Sequence, residues 1–194
     1  GHGREELFQD IDLTRTIGWF TTRYPVILSK INNDNLEETI KRTKETLRKI
    51  PNKGINYGIL KFLTKNQKIN KIPQPVINFN YLGQFDNIIG HKQGFKYASE
   101  LIGSSVAESS QCQYLLDING SVINGILDFQ IRYPAPIYSA KEMKQFSRLY
   151  KNALIKIINH CKGNKIKSYT PSDFKLIKDI DQKTLEQIIA LSLR

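Results

Sequence analysis

The dipeptide Asn124-Gly125, set between two runs of alternating character, restricts the fold of this 194-residue chain more than any other feature. A two-residue type I′ loop needs φ > 0 at both central positions, which Asn and Gly tolerate, and its twist matches that of the strands it joins. Tyr114 to Asn119 and Gly120 to Ile123 form one strand, or one strand with a glycine bulge, that pairs antiparallel with Ile126 to Tyr133. Pro134 and Pro136 end the returning strand. Ser139-Ala140-Lys141-Glu142 then reads as a capping box, with hydroxyl and carboxylate each serving the other's backbone N–H. The helix it opens is expected to reach about Cys161, with Met143, Phe146, Tyr150, Ala153, Leu154, Ile157 and Ile158 on one apolar face and Gly163 as its stop.

The remaining elements follow from period and punctuation. Glu5, Glu6, Leu7 and Phe8 suggest a short helix. Trp19 to Leu28 is rich in aromatic and β-branched residues and reads as a strand bent at Pro25. Asn32-Asn33-Asp34 offers caps for a helix on which Leu36, Ile40, Thr43, Leu47 and Ile50 recur at helical spacing, with Lys41, Arg42, Lys44, Arg48 and Lys49 on the remaining surface and Pro51 as the stop. A second helix is expected from about Tyr57 to Leu63, then a connector ending at Pro73 and Pro75, then a strand over Val76 to Leu82. Gly83 to Gln111 reads as a long loop with one short strand near Phe95-Lys96-Tyr97. Thr170 to Phe174 is a turn, and Asp181 caps a last helix that turns Leu185, Ile188 and Ile189 inward. This order predicts an α+β fold, a two-layer sandwich with one main sheet, antiparallel or mixed, and helices packed on it.

Composition narrows the function classes. Ala153 to Ile158, the richest apolar stretch, is broken by Lys156, so no run spans a bilayer, and no basic-then-apolar leader precedes the first elements. A cytoplasmic chain with no membrane partner is expected. Gly1-His2-Gly3-Arg4 reads as the middle of a sequence, and with no initiator Met the chain is expected to be a fragment. Cys112 and Cys161 form neither a CxxC pair nor a zinc pattern and are expected to be buried free thiols. His160 and Cys161 are adjacent, but two ligands without further partners make a poor metal site. The formal charge of +11 is unevenly placed: residues 41–71 carry ten basic and one acidic side chain, net +9, and residues 141–167 carry eight and one, net +7. Such segments are either a solvated lysine-rich face or a surface for acidic partners. Nucleic-acid binding would rest on charge alone and is not expected.

There is no phosphate-binding glycine loop, Rossmann fingerprint, GxSxG elbow or HExxH. Four other segments stand out together: His2-Gly3-Arg4-Glu5, the eleven residues from Arg15 to Pro25 (RTIGWFTTRYP), Pro51 to Gly58 (PNKGINYG), and Phe79 to Gln84 (FNYLGQ). In order and approximate spacing they resemble the last four signature motifs of nonribosomal peptide synthetase epimerization domains, EGHGRE, RTxGWFTxxYP, PxxGxGYG and FNYLGQ. Thr170 to Phe174 is similar to that family's closing segment, so the resemblance spans essentially the whole chain. Asn56 stands where the third motif has its second glycine. If that glycine serves a turn, Asn can replace it, because Asn tolerates left-handed backbone.

The resemblance implies the C-terminal subdomain, residues 1–194, of an epimerization (condensation-like) domain, one half of a chloramphenicol acetyltransferase-like fold whose two subdomains flank a tunnel. It implies conversion of an L-aminoacyl or peptidyl residue to its D epimer while thioester-linked to a phosphopantetheine arm. That arm is presented by a peptidyl carrier protein domain rather than bound as a cofactor. In the family, the leading Glu of EGHGRE and a histidine of an N-terminal HHxxxDG motif face each other across the tunnel. No HHxxxDG occurs here and the chain opens at Gly1, directly after the position of that Glu, so no complete catalytic pair is expected and the N-terminal subdomain is a missing partner. Supporting candidates are His2, Arg4, Asn80 and Tyr81. Arg4 either orients the missing Glu or makes a surface or inter-subdomain ion pair, and His2 is better read as structural. Asn80 and Tyr81 alternate on a strand, so only one of them faces the tunnel, and Tyr81 reads equally as a packed strand tyrosine. Trp19, Phe20 and Tyr24 are core or tunnel wall. Two rivals stay open: a condensation domain, which shares the fold but against which RTIGWFTTRYP argues, and a non-catalytic module that binds carrier or neighbouring domains.

Overall fold

The computed structural model describes residues 11–29, 35–64, 67–84, 103, 107, 113–163, 168–174 and 180–192. The short helix expected at Glu5 to Phe8 and the short strand expected at Phe95 to Tyr97 lie outside them. The fold is α+β with one mixed sheet, as the element order predicts. The chain divides into two compact units, one formed by Ile72–Leu149 and the other by the segment up to Lys71 together with that from Tyr150 onward.

The first unit holds the sheet, three strands in the order β1 (Ile77–Gln84), β2 (Leu116–Ile123) and β3 (Ile126–Arg132). β2 and β3 pair antiparallel around Asn124-Gly125, both at positive φ (53° and 71°), as the hairpin signal requires. β1 joins the other edge of β2 in parallel, Ile77 opposite Leu116 and Tyr81 opposite Gly120. That ladder then slips: Gln84 pairs with Val122, and Gly83, at φ +92°, takes the left-handed backbone of the bulge. No bulge forms at Gly120; its missing Cβ instead makes room for the ring of Phe129, which lies against it. Leu116 and Ile118 on β2 and Met143 on the following helix are buried. The ring centroids of Phe79 and Phe129 lie 6.4 Å apart on the same face.

That helix, α4 in chain order after three shorter ones described below, spans Ala140–Gly163. It opens on the predicted capping box: Ser139 N–H donates to Glu142 Oε2 at 2.8 Å and Glu142 N–H donates to Ser139 Oγ at 3.2 Å. Its apolar face is narrower than the periodicity suggests. Met143 is buried and Phe146, Tyr150 and Leu154 are half-buried, while Ala153, Ile157 and Ile158 are exposed. Cys161 is also exposed, contrary to the expected buried thiol, because it sits in the last turn beyond that face; Cys112 lies outside the described residues.

In the second unit α1 is Leu36–Arg48. Its cap is Asn35, one residue beyond the expected Asn32–Asp34, and the Asn35 side chain accepts from Glu38 N–H at 3.1 Å. A 3-10 turn at Pro51–Gly54 leads into α2 (Ile55–Gly58), a π turn over Ile59–Leu63 and a short helix, α3 (Gln67–Asn70), inside the stretch expected to be a connector. α5 is Gln182–Ser192, capped as predicted by Asp181, whose carboxylate accepts from Thr184 N–H at 2.7 Å. Of its three expected inward residues Leu185 is buried at 2% exposure and Ile189 half-buried, but Ile188 is 48% exposed. Only one residue per turn of this short helix finds cover.

Trp19 to Leu28 does not form the expected strand; it joins no ladder among the described residues. β propensity measures fit to a half-buried pleated surface rather than a backbone preference, and Pro25 has no N–H to give. Lys41 and Lys44 depart from the open surface expected for the α1 bases. Lys41 donates to Glu37 (2.8 Å) and Glu186 (3.0 Å), and Lys44 pairs with Asp173. Asp173 also closes a capping box with Thr170 in the 3-10 turn Pro171–Asp173, and Ser172 N–H donates to Glu45 at 3.2 Å. The closing segment is thus tied to α1 by side chains from both. Among the described residues no helix is long and apolar enough to cross a membrane.

Candidate functional site

Side chains of a strand alternate between the faces of its sheet, and residues paired across a ladder share a face. In the first unit this sorts the chemistry cleanly. One face carries Ile77, Phe79 and Tyr81 of β1, Leu116, Ile118 and Gly120 of β2, and Phe129 and Ile131 of β3. The other carries two polar rows, Asn78–Asp117–Arg132 and Asn80–Asn119–Gln130. Asn78 Nδ2 donates to Asp117 Oδ1 at 2.7 Å, and Asn80 Nδ2 donates to Asn119 Oδ1 at 3.4 Å. All four of these β1 and β2 side chains are half-buried. Half-burial removes part of their water, so each amide or carboxylate must find a partner, and the partners are in register.

The two strand candidates therefore part company, as alternation requires. Asn80 stands on the polar face, while Tyr81 stands on the apolar face and is 49% exposed beside Gly120. Tyr81 is not a fully packed strand tyrosine. His2 and Arg4 lie outside the described residues. The sequence pattern missed Asn78, Asp117 and Asn119, although the alternation Asp117, Asn119, Ser121 within a strand was the available signal. The polar rows can donate and accept hydrogen bonds around a carbonyl-containing ligand. Amides do not ionise in the physiological range, so Asn80 and Asn119 can orient and stabilise but not carry a proton. Among the described residues no three His, Cys, Asp or Glu side chains converge where a metal ion could sit.

In the second unit two other motif segments meet. The ring of Tyr24 lies against Gly54, leaving no room for a Cβ, and Gly54 has φ +85°. The turn is made by Asn52, Lys53 and Gly54, all at positive φ, whereas Asn56 is helical within α2. Position 56 therefore does not serve a left-handed turn in this chain. Its side chain instead accepts from Asn52 Nδ2 at 3.4 Å. Trp19 is 84% exposed, which excludes it from the core; Phe20 and Tyr24 are half-buried.

The family model described as the condensation domain matches residues 1–177. This chain belongs to the condensation-domain family. Among curated proteins it is 40% identical over 193 residues to a component of the linear gramicidin synthase of Brevibacillus parabrevis, covering 97% of this chain and 2% of that protein. It is 38% identical over 202 residues to gramicidin S synthase 1 of Brevibacillus brevis, covering 98% of this chain and 18% of that protein. It is 40% identical over 188 residues to bacitracin synthase 3 of Bacillus licheniformis, covering 97% of this chain and 3% of that protein. The condensation-family chain thus spans a small part of each of these relatives. In three dimensions it is similar to the epimerization domain from the third module of tyrocidine synthetase B. The TM-score is 0.73 at 38% identity, over 84% of this chain and 36% of that one.

Proposed function

We propose that this condensation-family chain is the C-terminal subdomain of a peptide synthetase epimerization domain. It forms one wall of a tunnel in which the α-carbon of an aminoacyl or peptidyl thioester is inverted. The observation that carries the reading is the 38% identical likeness to an epimerization domain, in a chain that holds the segment RTIGWFTTRYP from Arg15 to Pro25. That segment is the epimerization form and favours this reading over a condensation domain.

Inversion at Cα needs a base on one face of the carbon, an acid on the other, and stabilisation of the enolate oxygen between them. The proton carriers come from outside these residues: the sequence has no HHxxxDG, and the Asn80–Asn119–Gln130 row holds amides where a proton shuttle would need a titrating group. Asn80 is the β1 residue we assign to the thioester, because its amide N–H can meet a developing oxyanion from a half-buried, low-dielectric position. Tyr81 then belongs to the opposite side of the sheet. His2 and Arg4 belong to this proposal as supporting residues of the segment that resembles EGHGRE. The substrate arrives on the phosphopantetheine arm of a carrier protein domain, and the N-terminal subdomain is the second partner.

The test is tritium exchange at Cα of an aminoacyl carrier protein. The chain alone is expected to show none, and adding the N-terminal subdomain to restore it. Exchange catalysed by the chain alone would overturn the assignment of the missing proton carriers.

A further inference from the structure

We propose that Asn119, which lies outside the four motif segments, is a positioning residue that sets which way the Asn80 amide points. The proposal rests on the reading of Asn80 as the side chain that meets the thioester. The two residues are register partners on β1 and β2, both half-buried, and Asn80 Nδ2 donates to Asn119 Oδ1 at 3.4 Å. A primary amide has two planar orientations that differ by a half-turn and exchange a donor for an acceptor. One of them presents N–H to an oxygen that is gaining negative charge, and the other presents a carbonyl oxygen and repels it.

The neighbouring row shows how such a choice is made. Asn78 faces Asp117 at 2.7 Å, and a carboxylate only accepts, so the Asn78 nitrogen must turn toward it. Next in line, Asn80 has Asn119 as its register partner. With one N–H of Nδ2 engaged by Asn119, the second N–H of the same nitrogen is held for the ligand. Without that acceptor the amide is free to turn its oxygen toward the reacting carbonyl. Asn119 touches neither carbon nor thioester in this scheme; it acts through Asn80.

The experiment is a double-mutant cycle in the complete synthetase polypeptide that contains this chain, with an aminoacyl-loaded carrier and Cα proton exchange as the readout. Asn119→Leu is expected to lower kcat about five- to tenfold, the size of one hydrogen bond, with KM changed less than about twofold. On the Asn80→Ala background the same substitution is expected to change kcat less than about twofold. Should Asn119→Leu lose its cooperative thermal melt, Asn119→Ala, which adds no bulk, replaces it in the cycle. A wild-type kcat for the Asn119 variant overturns the proposal, as does an equal loss on both backgrounds. A wild-type kcat for Asn80→Ala overturns the reading of Asn80 itself, and the proposal with it.

Discussion

The ring of Tyr24 and the backbone of Gly54 are in such close contact that a methyl group between them would overlap the ring. These residues are thirty positions apart and belong to two different signature segments. Their contact gives one physical reason for both residue types: a flat ring needs a position without a side chain, and the left-handed turn after Asn52 and Lys53 needs a residue at ease with φ +85°.

Gly54→Ala is therefore expected to destabilise the second unit by about 2–4 kcal/mol, the sum of an overpacking cost and a left-handed backbone cost. Pairing it with Tyr24→Ala removes the overlap but not the backbone strain. Thermal or urea melts of the two single variants and the double variant should show strong non-additivity, and simple addition would refute the contact.

Asn56→Gly, which restores the glycine of the resembled motif, is expected to cost about 0.3 kcal/mol rather than to stabilise. Asn56 is helical, and glycine loses more backbone entropy than other residues in a helix. A rise in melting temperature for this variant would show that the position needs left-handed backbone after all.

The tie between the closing segment and α1 should fail in acid. Hydrogen bonding from Lys44, then from Thr170 N–H, holds the Asp173 carboxyl below its ordinary range. Against the opposing effect of burial, Ser172 and Thr170 do the same for Glu45. Lys41 and Ser168 lower Glu37. Groups lowered on folding contribute fully above their unfolded pKa of about 4 and lose that contribution as pH falls through the lower folded values. Asp173→Asn should lower stability by about 1–2 kcal/mol at neutral pH, and the difference from wild type should shrink as the pH falls below about 4. A pH-independent difference in melts across that window would contradict the scheme.

Ser139→Ala removes one partner of the α4 capping box and is expected to cost about 1 kcal/mol. Glu142→Gln, which can still accept from Ser139 N–H, should cost less. A larger loss from Glu142→Gln than from Ser139→Ala would mean that charge rather than the hydrogen-bond pattern holds that helix end.

Where a local rule dictated structure, the sequence was legible. Asn124-Gly125 produced its hairpin, Ser139 and Glu142 their reciprocal cap, and Asp181 the start of α5. Failures came where a partner elsewhere decides the outcome. Trp19 to Leu28 has strand composition, yet Tyr24 is used against Gly54 instead of a ladder. Ile157 and Ile158 obey the helical period of α4 but lie exposed. Of the candidate site, the separation of Asn80 from Tyr81 followed from alternation alone. The alliance of Asn80 with Asn119 did not, because parallel pairing across 39 residues leaves no local trace of its register.

The slip in the β1 ladder changes the parity of the strand. An uninterrupted pleat would send Asn78, Asn80, Leu82 and Gln84 to one side, but Gln84 pairs with Val122, which stands on the side of Tyr81. On β1 the polar residues of that side therefore end at Asn80, and the exposed Gln84 emerges on the side of Val122 and Leu127. Closing the bulge with every residue kept would set Gly83 opposite Val122 and carry Gln84 to the other side, so an exchange of this segment with a relative must preserve the slip at Gly83 as well as the letters around it.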